Sequence, residues 1–149
     1  MNTMQKLVRT GFIYAIAAMA GGVFYREFTK FNGFTGNTSL GFVHTHLFLL
    51  GMFFFLIAVL LEGYFHLSEH RFFGKFFVIY NIGVPLTALM LLVRGVLQVK
   101  AAPLSAAASA AVSGIAGVGH ILTGVGIVLF FLMLKAQAGS KGAQNRGKR

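Results

Sequence analysis

The chain has 149 residues, 56% of them hydrophobic and only 11% charged, with seventeen Phe and no Cys or Trp. So little polar surface cannot coat a soluble globule, and at about 20 apolar residues per membrane-spanning helix the sequence accommodates four spans and no separate soluble domain. The net charge of +10 sits in turns and at the chain ends, which fits membrane orientation and anionic lipid better than nucleic acid, and the lack of Cys excludes disulfides, thiolate metal sites and Cys nucleophiles.

Met1 to Arg9 form a short basic head, and an apolar span follows from about Leu7 to Tyr25. A positive head, a short apolar run and small residues at Ala18-Met19-Ala20 also resemble a secretory signal. The run continues through Val23-Phe24-Tyr25, however, so a retained first helix is expected. Arg26 to Ser39 read as a polar, glycine-punctuated connection ending in helix-capping residues. The second span runs from about Leu40 to Leu61 and holds His44 and His46, and an interfacial connection, Glu62 to Lys75, follows it. The third span covers about Phe76 to Val99, with Asn81, Thr87, Arg94 and Gln98 as its polar positions and Pro85 predicting a kink. After a short turn, the fourth span covers about Ala106 to Leu134 and is built of small residues around His120. Residues 135–149 read as a basic, disordered tail.

The expected fold is therefore all-α, an integral membrane four-helix bundle. An even number of spans puts both termini and the second connection on one side, which collects nine of the thirteen Lys and Arg; Arg26, Lys30, Arg94 and Lys100 fall on the other. Positive-inside bias then makes the termini cytoplasmic.

Imidazole at hydrocarbon depth is costly without a partner, so His44, His46 and His120 mark a site. Their two spans run in the same direction, and counting back from the inner ends puts His46 fifteen residues from Leu61 and His120 fourteen from Leu134. Equal depth lets these two face each other across the bundle. His44 and His46 diverge by about 200°, because successive helical residues are about 100° apart, so both cannot serve one point. Two neutral imidazoles from facing helices suit a six-coordinate b-type haem, and Ala116, Gly117 and Gly124 around His120 leave room for a flat ring. Haem propionates need cations, for which Arg94 and Arg26, near the outer ends of spans three and one, are candidates. In the competing reading the glycines serve helix packing, His120 donates a hydrogen bond, Arg26 pairs with Glu27 and Arg94 reaches to the outer interface.

His66-Leu67-Ser68-Glu69-His70 spells the H-x-x-E-H pattern of one zinc protease group, but it lies in a short connection with no room for a protease domain and no third ligand, so interfacial turn residues are expected there. The Phe pairs and triplets read as lipid-facing or packing residues.

Arg26-Glu27-Phe28-Thr29-Lys30, Phe34-Thr35-Gly36, His44-Thr45-His46 with Leu50-Gly51, Val93-Arg94-Gly95 and the Gly114 to His120 stretch together resemble an uncharacterised family of small four-helix bacterial membrane proteins, the domain of unknown function 2871. That resemblance implies the fold and a bacterial cytoplasmic membrane, and no activity. More distantly, His44-Thr45-His46 before a Leu-rich run and Gly51 is similar to the His-x-His helix of haem–copper oxidase subunit I and of NnrS-type haem membrane proteins. This implies that His44 and His46 are haem ligands on opposite helix faces, with His120 opposite. The chain departs from that pattern in having four spans and no further intramembrane His set for copper, which argues against a binuclear oxygen-reducing centre.

The expectation is a membrane cytochrome holding haem b between spans two and four, for electron transfer with quinol or another redox partner, or for haem or gas handling. His46, His120 and His44 are the candidate iron ligands, and Arg94, Arg26, Gly117 and Gly124 complete the candidate cofactor site. A non-haem metal or proton-linked transporter and a cofactor-free assembly protein are the rivals. The small residues of span four suit homo-oligomerisation.

Overall fold

The structure is a computed structural model that describes residues 2–146, with side chains described for residues 2–141. Four helices carry the chain: α1 (Thr3–Phe31), α2 (Leu40–Phe65), α3 (Phe73–Val99) and α4 (Ala106–Arg146). Each is long and apolar enough to cross a membrane, and no strand occurs among the described residues, so the chain is a multi-pass, all-α membrane protein.

Local chemistry sets the ends. Asn2 caps α1, its side chain accepting from the Gln5 N–H at 2.8 Å while the Gln5 side chain accepts from the Asn2 N–H at 3.1 Å. The chain leaves α1 through Gly33 at φ 58°, a left-handed conformation open to glycine without strain. After α2, His66 takes the left-handed conformation at φ 52° and leads into a 3₁₀ turn, Leu67–Glu69. The buried Glu62 carboxylate accepts from the Ser68 N–H at 2.8 Å and from the Ser68 hydroxyl, which ties that turn to the end of α2.

The helices pack in chain order, α1 along α2, α2 against α3 and α3 along α4. In the half nearer the termini, Phe54 and Phe55 of α2, Phe76 and Tyr80 of α3 and Phe130 of α4 form an aromatic core; Phe54 lies 4.3 Å from Tyr80 and 4.9 Å from Phe130 between ring centres. Phe53 and Phe131, next in sequence to core residues, face outward.

Two departures from the sequence reading concern helix extent. The first helix runs six residues past the expected end at Tyr25, to Phe31, so Arg26 is helical. The fourth continues to Arg146, and residues 135–146, expected as disordered tail, are helix; residues 147–149 lie outside the described residues. Contacts with the second connection account for this. Gln137 donates to the His66 carbonyl at 2.8 Å, and Lys141 donates to the Tyr64 carbonyl while its ammonium lies 3.4 Å from the centre of the Tyr64 ring.

Candidate functional site

His46 and His120 meet in the half of the bundle remote from the termini, beyond the Phe54–Phe130 contact that joins α2 to α4. Their ring centres are 6.5 Å apart and the ring planes cross at 84°. His46 Nδ1 lies 2.8 Å from the Phe42 carbonyl oxygen, and His120 Nδ1 lies 2.8 Å from that of Ala116. A carbonyl only accepts, so each Nδ1 carries a proton, which in the neutral ring leaves the Nε2 lone pair free. That is how a metal-binding imidazole is commonly held, its second nitrogen donating to a backbone carbonyl that fixes tautomer and ring orientation.

The surface around His120 is open. A Cβ added at Gly114, Gly117 or Gly124 would meet no atom within 4 Å. Gly117 and Gly124 stand one turn to either side of His120, and the imidazole itself is exposed. Glycines on the opposite face behave differently. A Cβ at Gly119 would lie 2.8 Å from Thr87 Oγ1, and one at Gly126 would lie 2.7 Å from Tyr80 Cδ2. Those two are required by the α3–α4 seam. Gly114, Gly117 and Gly124 make no packing contact with the described residues of this chain.

Arg94, half-buried on α3, donates from Nη2 to Ser113 Oγ at 2.6 Å. Ser113 is seven residues before His120, which is two turns or ~10 Å along the same face of α4. Arg94 also borders a cavity of about 300 Å³ with Gln98, Ser109 and Val112. Arg26 is elsewhere; it is 81% exposed, with its Nε 3.8 Å from Glu27 Oε1.

His44 turns away from the pair, as the helical angle requires. Its ring is stacked with Tyr25 of α1, with centres 6.4 Å apart, its Cβ faces Gly21 and Gly22, and its buried Nδ1 has no hydrogen-bond partner among the described residues. The H-x-x-E-H residues do turn chemistry: the His66 carbonyl accepts from Gln137, and His70 Nδ1 accepts from the Phe72 N–H at 3.2 Å. Among the described residues no group of three or more His, Asp or Glu could hold a metal ion.

One feature of the site has no signal in the sequence. Leu47–Phe53, directly after His46, is π-helical. The widened turn presents the Leu50 carbonyl to the Tyr80 hydroxyl at 2.8 Å, and Gly51 lies so close to Tyr14 that a Cβ there would fall 2.3 Å from its Cγ. π segments are rare and concentrate at functional positions.

No curated protein and no solved structure matches the chain. A family model does, from residue 4 to residue 137, and over that length the chain belongs to the family described as Protein of unknown function (DUF2871).

Proposed function

We propose that the chain is a small membrane cytochrome in which His46 of α2 and His120 of α4 would hold one b-type haem. The observation that carries this reading is the pair itself, with both Nδ1 protons committed to carbonyls and both Nε2 lone pairs free. Two imidazoles that share one ion at bond lengths of roughly 2 Å bring their ring centres to about 6 Å, close to the 6.5 Å between these rings. A six-coordinate haem uses two protein ligands, whereas a structural zinc site uses four and a catalytic one three.

The fit of a flat macrocycle is supported by Gly114, Gly117 and Gly124, whose missing side chains leave the α4 face clear beside His120. Arg94 would hold a propionate, since its guanidinium already reaches to Ser113 on the same face. When bound, the haem supplies one-electron redox chemistry or an iron site for a small gas. The protein's own part is to orient the imidazoles through Phe42 and Ala116, to offer a cation at Arg94, and to exclude water with the apolar helix faces. The charge asymmetry of the connections supports termini on the cytoplasmic side of a bacterial cytoplasmic membrane.

Substitutions read by visible spectroscopy test the ligands. After expression with supplemented haem, His46→Ala and His120→Ala should each convert a six-coordinate low-spin spectrum to a five-coordinate one or abolish binding, and His44→Ala should leave it unchanged. Wild-type spectra in both of the first two variants would refute this assignment.

A further inference from the structure

Asn81 and Pro85 of α3 take no part in the histidine cleft. They line a separate cavity of about 420 Å³ between α1 and α3, together with Thr10, Tyr14, Ala17 and Phe77. A second cavity, of about 440 Å³, shares Ala17, Leu47 and Pro85 with the first and continues past Gly21 and Phe24 on α1 and Leu92 on α3. The two make one groove along α1 from Thr10 to Phe24, ~21 Å at 1.5 Å per residue. The buried Leu47 of α2 belongs to both halves.

One end of this groove is polar and its hydrogen-bonding capacity is only partly used. The Tyr14 hydroxyl donates to Asn81 Oδ1 at 3.0 Å, and Asn81 Nδ2 donates to the Phe77 carbonyl at 2.8 Å, which fixes the amide orientation because a carbonyl only accepts. The Thr10 hydroxyl gives its one hydrogen to the Lys6 carbonyl at 2.8 Å. The side chains keep further capacity: the second Nδ2 hydrogen of Asn81 as donor, and the lone pairs of the Tyr14 and Thr10 oxygens as acceptors. At hydrocarbon depth such groups favour a ligand that completes them. A mostly apolar cavity with a few convergent polar groups is the usual form of a small-molecule site.

We infer that this groove binds a prenylated quinone, with the ring at Tyr14 and Asn81 and the hydrocarbon tail along Ala17, Gly21 and Phe24. A quinone carbonyl accepts from Asn81 Nδ2, and a hydroquinone hydroxyl donates to the Tyr14 oxygen, so the same end serves both redox forms. None of the residues lining either cavity is charged, which suits a neutral ring better than a phosphate. The Lys6 ammonium lies 3.9 Å from the centre of the Phe77 ring, at the polar end, where an anionic lipid headgroup would sit instead. The inference does not depend on haem binding.

The test is a titration of the full-length detergent-solubilised protein with a decyl-benzoquinone, followed by tyrosine fluorescence; the chain has four Tyr and no Trp. Saturable quenching is expected. Ala17→Phe, at the junction of the two cavities, and Asn81→Leu should each weaken binding by about tenfold or more, while Leu60→Phe on an exposed face should leave it unchanged. Ala17 is itself exposed, so that variant keeps the test decisive if Asn81→Leu fails to fold. Quenching that does not saturate, or that is the same in Ala17→Phe, would overturn the assignment. So would displacement of the quinone by phosphatidylglycerol and not by phosphatidylcholine, which would assign the groove to an anionic lipid.

Discussion

Helix α4 carries two sets of glycines on opposite faces, and they do opposite things. Toward α3, Gly119 and Gly126 let two backbones come together, and Gly83 answers from α3, where a Cβ would fall 2.5 Å from the Thr123 backbone nitrogen. On the other side of the helix, where Gly117 and Gly124 flank His120, Gly114, Gly117 and Gly124 face open space. Packing explains the first set. It leaves the second unexplained, and glycine is a poor helix former to keep where nothing demands it. The proposed haem, lying flat on that face, would supply the demand, which would make the empty side of α4 the one that bears on function.

The largest expected effect comes from filling the tight side. Gly83→Ala and Gly119→Ala should each cost about 2–3 kcal/mol by forcing α3 and α4 apart, whereas Gly117→Ala and Gly124→Ala should cost nothing measurable. Thermal unfolding in detergent followed by circular dichroism compares them, and equal losses on both faces would erase the distinction. Next in size is Gly117→Leu, which should keep the wild-type melting temperature yet weaken haem binding by about tenfold or more, ~1.4 kcal/mol. If that variant binds haem normally, the cleft beside Gly117 is not the cofactor's place.

A smaller effect should come from the π-helical turn below His46. Tyr80→Phe removes the donor to the Leu50 carbonyl and should cost about 1 kcal/mol in the same melt. The smallest is Lys141→Ala at the C-terminal end of α4, where loss of the ammonium over Tyr64 should cost about 0.5 kcal/mol and raise hydrogen exchange from residue 135 onward. Unchanged exchange there would mean that the helix beyond Leu134 stands without this anchor.

The four spans were legible in the sequence because hydropathy over about 20 residues depends on composition alone. The meeting of His46 with His120 was legible too, since helical rise converts residue counts into depth and the two spans run in the same direction. The divergence of His44 followed from the angle per residue. Properties set by neighbouring helices were not legible. The assignment of Gly117 to open space and Gly119 to the seam depends on where α3 lies. The helical tail depends on Gln137 and Lys141 finding the carbonyls of His66 and Tyr64. The π-helical stretch after His46 has no compositional mark, because Leu, Phe, Met and a single Gly serve an α-helix equally well.

The most direct measurement is the visible spectrum of the wild-type protein, purified in detergent after expression with added haem. The account predicts a Soret band with a six-coordinate low-spin spectrum at about one haem per chain. A purified, helical protein that shows no Soret band would contradict it.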